Sequence, residues 1–172
     1  ITNTLLNAID NNHLAQALLF CGPRGVGKTS CARILAKKIN HKEGHNNENE
    51  DFGFNVFELD AASNNSVDDI RNLIDQVRIP PQVGTHKVYI IDEVHMLSLA
   101  AFNAFLKTLE EPPAHVIFIL ATTEKHKIIP TILSRCQIYD FKRMSVADTK
   151  KHLTSIAQDK NKWGKINITK AH

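Results

Sequence analysis

The stretch Ala17-Leu18-Leu19-Phe20-Cys21-Gly22-Pro23-Arg24-Gly25-Val26-Gly27-Lys28-Thr29-Ser30 decides the fold. Residues 17–21 are an unbroken apolar run, as in a parallel strand covered on both faces. Residues 22–29 match the phosphate-loop pattern GxxxxGK[ST], and a helical apolar stripe of Cys31, Ile34, Leu35 and Ile39 follows. A strand running into a glycine-rich loop that opens a helix is the context this pattern requires. Its glycines let the backbone wrap inward so that successive N–H groups face phosphate oxygens, and the helix N-terminus adds the positive end of its dipole. Lys28 supplies a point charge between the β- and γ-phosphates, and Thr29 offers a hydroxyl to Mg²⁺. Gly22, Pro23, Arg24, Gly25, Val26, Gly27, Lys28, Thr29 and Ser30 are therefore the expected nucleotide-binding residues.

Outward from this loop the chain alternates between two hydrophobic periods. Strands are predicted at residues 17–21, 55–59, 88–91, 116–121 and 137–141. Helical stripes run through Val67, Ile70, Leu73, Ile74 and Val77, and through Leu99, Phe102, Phe105, Leu106 and Leu109. Breaks fall at Pro80-Pro81, Gly84 and Pro112-Pro113. Strands alternating with helices predict an α/β fold, a doubly wound parallel five-stranded sheet. Residues 41–54 are polar and aperiodic and are expected to form a surface loop.

Sixty-four residues after Lys28, Val88-Tyr89-Ile90-Ile91 runs into Asp92-Glu93. This places two carboxylates at the C-terminal end of a buried strand, where ligands bind in open α/β sheets. Asp92 is expected to hold the Mg²⁺ through water, and Glu93 to orient and deprotonate the attacking water. A second carboxylate beside the metal ligand favours hydrolysis over transfer to a substrate hydroxyl. The next strand ends in Thr122-Thr123-Glu124. Thr123 suits either sensing of a γ-phosphate or an N-cap, and spacing alone leaves both readings open. Pro130 opens a short helix closing on Ser134-Arg135-Cys136. Arg135 there suits either a helix-dipole partner or a finger that reaches a neighbouring subunit's γ-phosphate.

Composition narrows the class. The 172 residues suffice for one self-supporting domain, and 42% hydrophobic with 23% charged content is globular, not disordered. No apolar run is long enough to span a bilayer and no secretory signal is visible. Cys21, Cys31 and Cys136 cannot all pair internally, so a reducing, cytoplasmic setting is expected. The net charge of +3 is unevenly spread, because residues 142–172 carry +6 and leave −3 for the rest. The basic balance belongs to the tail and is therefore poor evidence for a nucleic-acid face on the core. An opening at Ile1 and a Lys-rich end read as a fragment. The expected domains are a nucleotide-binding core at 1–144, then the first helix of a lid with a basic tail at 145–172.

The whole pattern resembles the AAA+ ATPases, and within them the gamma/tau family of bacterial clamp-loader subunits. The resemblance rests on GPRGVGKTSCARILAK, ELDAASNNSVDDIRNLID, KVYIIDEVHMLS, FNAFLKTLEEPP and FILATTEKHKIIPTILSRCQ, and covers most of residues 1–143. It implies ATP and Mg²⁺ as cofactors, Thr123 as the sensor at the γ-phosphate, and Arg135 as an arginine finger acting in trans. It also implies partners: other subunits of a hetero-oligomeric ring, a sliding clamp and primer–template DNA, within a DNA polymerase holoenzyme. The isolated chain would then be weakly active or inactive.

The chain departs from the family pattern in three ways. Members usually carry a four-cysteine zinc module after the first core helix. Here His41 and His45 stand without cysteine, so no zinc is expected. The lid's ATP-contacting arginine lies beyond the sequence, as do the adenine contacts upstream of Ile1. Leu5, Leu6 and Ile9 are expected to form a packed helix instead. Relatives often place basic residues where this chain has Asn64-Asn65-Ser66, which equally suit an N-cap cluster. Two other functions remain in view: an assembly subunit that binds nucleotide without productive turnover, and a helicase suggested by the DExH-like Asp92-Glu93-Val94-His95.

Overall fold

The computed structural model describes residues 2–11, 13–40 and 55–158. The expected loop at 41–54, with His41 and His45, and the tail from Asn161 lie outside the described residues. In chain order the elements are α1 (Thr2–Asp10), β1 (Ala17–Cys21), α2 (Lys28–Asn40), β2 (Val56–Asp60), α3 (Val67–Val77), β3 (Lys87–Asp92), α4 (Leu99–Glu110), β4 (Val116–Thr122), α5 (Pro130–Leu133), β5 (Gln137–Asp140) and α6 (Val146–Gln158). The chain divides between Phe141 and Lys142 into two units, the second contributing α6.

All five strands are parallel, in the order β2-β3-β4-β1-β5. Every residue of β1 and β4 is buried, while the outer strands β2 and β5 are only partly covered. This is the outcome their composition dictates, since continuous apolar runs must be shielded on both faces. Alternation along each strand feeds two separate cores. Leu19, Tyr89, Ile91, Phe118 and Leu120 meet α3, α4 and α5 on one face. Leu18, Phe20, Ile90, Ile117 and Ile119 meet Leu5 of α1 and Ala32, Leu35, Ala36 and Ile39 of α2 on the other. Ile9 packs on this second core as expected, and Leu6 is half-buried.

Local chemistry sets the helix ends. Ser66 caps α3 through a reciprocal capping box with Asp69, and the Ser98 hydroxyl accepts from Ala101 N at 3.2 Å. Within Asn64-Asn65-Ser66 it is Ser66 that caps, while Asn64 Nδ2 donates to Asp60 O at 3.1 Å and Asn65 O accepts from Ser98 N at 3.2 Å. Strand limits shift slightly from the sequence expectation. β2 is displaced one residue to 56–60, β4 gains Thr122, and β3 gains Lys87 and Asp92. A lysine enters a buried strand because its ammonium escapes to Gln76 O at 3.3 Å and lies 5.4 Å from the Phe57 ring centroid. β5 stops at Asp140, although Phe141 N still donates to Cys21 O at 2.6 Å. Among the described residues no helix is long and apolar enough to cross a membrane.

Phe105 is fully buried on α4 and meets Phe118 of β4 edge-on, with centroids 5.0 Å apart. Phe105→Ala is expected to cost about 3–5 kcal/mol in urea denaturation. Leu99→Ala, on the same helix but 65% exposed, should stay within about 0.5 kcal/mol of the parent.

Candidate functional site

The loop between β1 and α2 is held at both ends. Gly22 N donates to Thr122 O at 3.2 Å, tying the loop's start to β4. A side chain at Gly22, whose φ is +153°, would bring Cβ within 2.4 Å of Phe141 O, so only glycine lets β1 and the chain after β5 approach this closely. Gly25 and Gly27 take φ of +75° and +90°, which turn the backbone back on itself ahead of α2. Lys28 begins the helix and is 7% exposed. Its Nζ donates to Gly22 O at 2.8 Å and Pro23 O at 2.9 Å. The loop therefore wraps around its own ammonium. Val26 is half-buried, whereas Pro23, Arg24 and Ser30 are exposed.

Thr29, the next residue, brings its hydroxyl to the end of β3. Thr29 Oγ1 donates to Asp92 Oδ2 at 2.6 Å, while Asp92 Oδ1 accepts from Glu93 N at 2.9 Å. A hydroxyl and a carboxylate side by side at a strand end are the hard oxygen donors that suit Mg²⁺. The following residue turns sharply. Glu93 has φ 47° and ψ 43°, the one non-glycine with positive φ among the described residues. Left-handed backbone at a glutamate costs roughly 1–3 kcal/mol and marks a place where surrounding structure dictates the conformation.

That turn swings the Glu93 carboxylate across to β4. Its Oε2 accepts from Thr123 N at 3.2 Å and from Thr123 Oγ1 at 3.0 Å, and lies 3.3 Å from His95 Nδ1. Its Oε1 faces the loop, 3.8 Å from Arg24 Nε. The two threonines thus part company. Thr122 is fully buried; its hydroxyl accepts from Glu124 N at 3.0 Å and sits 3.0 Å from His95 Nδ1. Thr123 instead reaches Glu93, with both its N–H and its hydroxyl donating to that carboxylate. His95, Thr122 and Glu124 are the members sequence reasoning missed. The strand's two-residue period and the DExH-like string were the available signals.

Arg135 stands apart from this cluster. Its Nη1 donates to Thr131 O at 2.6 Å, and its Nη2 pairs with Glu110 Oε1 at the end of α4. The guanidinium thus lies over the last turn of α5. All three cysteines are free. Burial pushes the Cys21 thiol up to about 11 and the Cys136 thiol up to about 12.

Residues 1–145 match the family model described as DNA polymerase III, delta subunit. A curated relative, DNA polymerase III subunit tau of Bacillus subtilis, is 56% identical over 156 residues, covering 84% of this chain and 28% of the relative. The tau subunit of Escherichia coli is 44% identical over 94% of this chain and 27% of its own length. The chain thus spans about a quarter of the length of the tau subunits it matches. In fold it is similar to a gamma-subunit-related protein of Thermotoga maritima, with TM-score 0.70, 22% identity and coverage of 90% of this chain and 50% of that one. The Thermotoga maritima RuvB Holliday junction branch migration motor follows at TM-score 0.65 and 20% identity, over 91% of this chain and 47% of that one.

Gly22→Ala is expected to destabilise the chain by about 2–3 kcal/mol, because the new methyl meets a backbone oxygen that cannot rotate away. Gly25→Ala has open space around its Cβ and should cost only the left-handed backbone, about 1–2 kcal/mol, in the same urea titration. In the folded protein Cys21 and Cys136 should resist alkylation at pH 8, where their raised pKa values leave almost no thiolate. Unfolding in urea should make both react at the rate of a free thiol.

Proposed function

Since the chain belongs to the DNA polymerase III delta-subunit family, and among its AAA+ members to the tau/gamma group, we propose that it is an ATP-binding and ATP-hydrolysing motor subunit of a replication clamp loader. In that role it loads a sliding clamp onto primer–template DNA as one member of a hetero-oligomeric ring. The observation that carries the reading is the convergence of the glycine loop, the Thr29–Asp92 pair and Glu93 on one edge of the sheet. Residues 1–144 form the nucleotide-binding core in this reading, and 145–172 begin a helical lid.

The roles follow from position. Backbone N–H groups of residues 22–30 and the N-terminus of α2 cradle the phosphates. Lys28 exchanges its Gly22 and Pro23 carbonyl partners for phosphate oxygens. Thr29 and, through water, Asp92 would hold Mg²⁺, which would supply positive charge to offset that of the phosphates. Glu93 takes a proton from the attacking water through Oε1, the oxygen that faces the loop. Thr123 sits where it can hold either Glu93 or the γ-phosphate. Arg135 acts in trans on the neighbouring subunit's nucleotide, closing the interface with ATP and releasing it after hydrolysis. In the lone chain no neighbour's arginine reaches the nucleotide, and turnover outside the assembly is weak in this reading.

The test is steady-state ATP hydrolysis by the full-length protein assembled with its partner subunits, with and without sliding clamp and primed DNA. Stimulation that requires both is expected. Stimulation by single-stranded DNA alone, indifferent to the clamp, would replace this reading with a helicase. Lys28→Ala should abolish nucleotide binding. Glu93→Gln should retain binding and lose about 10²–10⁴ in kcat. Arg135→Ala should also bind normally and lose about 10³–10⁵ in turnover. Equal loss of binding in Arg135→Ala would overturn the trans role.

A further inference from the structure

His95 is a buried imidazole between two carboxylates from different segments. Its side chain is 5% exposed. Nδ1 lies 3.3 Å from Glu93 Oε2 and 3.0 Å from Thr122 Oγ1, and Nε2 lies 3.5 Å from Glu124 Oε1. Glu124 is fixed in turn, because its Oε2 takes the Lys127 ammonium at 2.7 Å and faces His126 Nε2 at 3.7 Å. These pairs hold the Glu124 carboxyl below its usual range, the Lys127 hydrogen bond being the largest cause. A polar side chain placed this deep costs free energy unless its partners are in place. Here the partners are the glutamate assigned to water activation and the loop that follows β4.

We propose that His95 is a positioning residue for Glu93, linking that carboxylate through the imidazole ring to Glu124, so that the 123–127 loop sets the aim of Glu93 at the phosphate loop. The geometry divides the carboxylate's labour. Oε2 accepts from Thr123 N and Thr123 Oγ1 and has His95 Nδ1 beside it at 3.3 Å, which leaves Oε1 toward the loop, 3.8 Å from Arg24 Nε. If Thr123 turns to a γ-phosphate, His95 remains as the anchor that keeps Oε2 from swinging. Misplacing a reacting group by about 1 Å can cost roughly 10²-fold in rate, so the anchor matters for kcat and not for nucleotide affinity.

This inference rests on the hydrolytic role of Glu93 and is tested in the same full-length complex. His95→Ala is expected to lower kcat by about 10–100-fold with KM within about twofold. His95→Asn places an amide N–H where Nδ1 stood and should recover most of that loss. His95→Gln places its amide where Nε2 stood and should not. Glu124→Gln lies at the surface end of the chain of contacts and should lower kcat by about threefold or more, again without moving KM. Combined with His95→Ala it should add little, since the two act as one unit. Should His95→Ala fail to fold, the Asn, Gln and Glu124 variants decide. Full turnover in His95→Ala, a parallel loss of affinity, or an Asn variant as poor as Ala overturns the proposal. Full turnover in Glu93→Gln as well would overturn the reading beneath it.

Discussion

The structure depends on the burial of β1 and β4 side by side at the centre of the sheet. Each strand is apolar on both sides, so each must be covered by helices above and below, which forces the layered α/β architecture. Because both strands run in the same direction, their C-terminal ends lie at one edge. The glycine loop leaves β1 there, Thr122 and Thr123 end β4 there, and Asp92 ends β3 in the neighbouring position. β4 lies between the strand that feeds the loop and the strand that carries the carboxylates. The threonine pair at its C-terminal end touches both the loop and the carboxylates, through Gly22 N and Glu93.

Most of the fold was legible in the amino-acid sequence because its signals are local. Apolar runs marked the strands, stripes at helical spacing marked the helices, and Ser66 and Pro130 marked where helices begin. The phosphate-loop pattern was equally local, since its function resides in consecutive backbone groups. What could not be read were partners distant in the chain. Nothing near Arg135 in sequence announces Glu110, and nothing near His95 announces Glu124. Nor does spacing decide which of two adjacent threonines faces the core; the pleat does, by placing Thr122 inside and turning Thr123 toward the strand edge. Lys87 illustrates the same limit, because its place in a buried strand depends on a carbonyl of α3 and an aromatic face of β2.

The polar edge is built as a set of satisfied contacts, not as loose charges. Asp92 accepts with one oxygen from Thr29 and with the other from the backbone of Glu93. The left-handed turn at Glu93 is held from both sides, by that backbone bond and by Met96 N donating to Glu93 O at 2.8 Å. Strain of this kind persists only where neighbours over-determine it. Among the described residues it falls on Glu93, whose carboxylate must leave the line of β3 and reach across to β4.

The strand order also has a consequence for biosynthesis. Of the five strands β1 is made first, yet its hydrogen-bonding partners are β4 and β5, the last of the five. While the ribosome adds β2, β3 and their helices, the Leu18-Leu19-Phe20 segment has no strand to pair with and no complete core to enter. Non-local parallel pairing of this kind is slow and leaves apolar surface exposed in the meantime. The nascent chain therefore cannot build this polar edge piecemeal: the loop, Asp92 and the threonine pair come together only when β4 inserts beside β1.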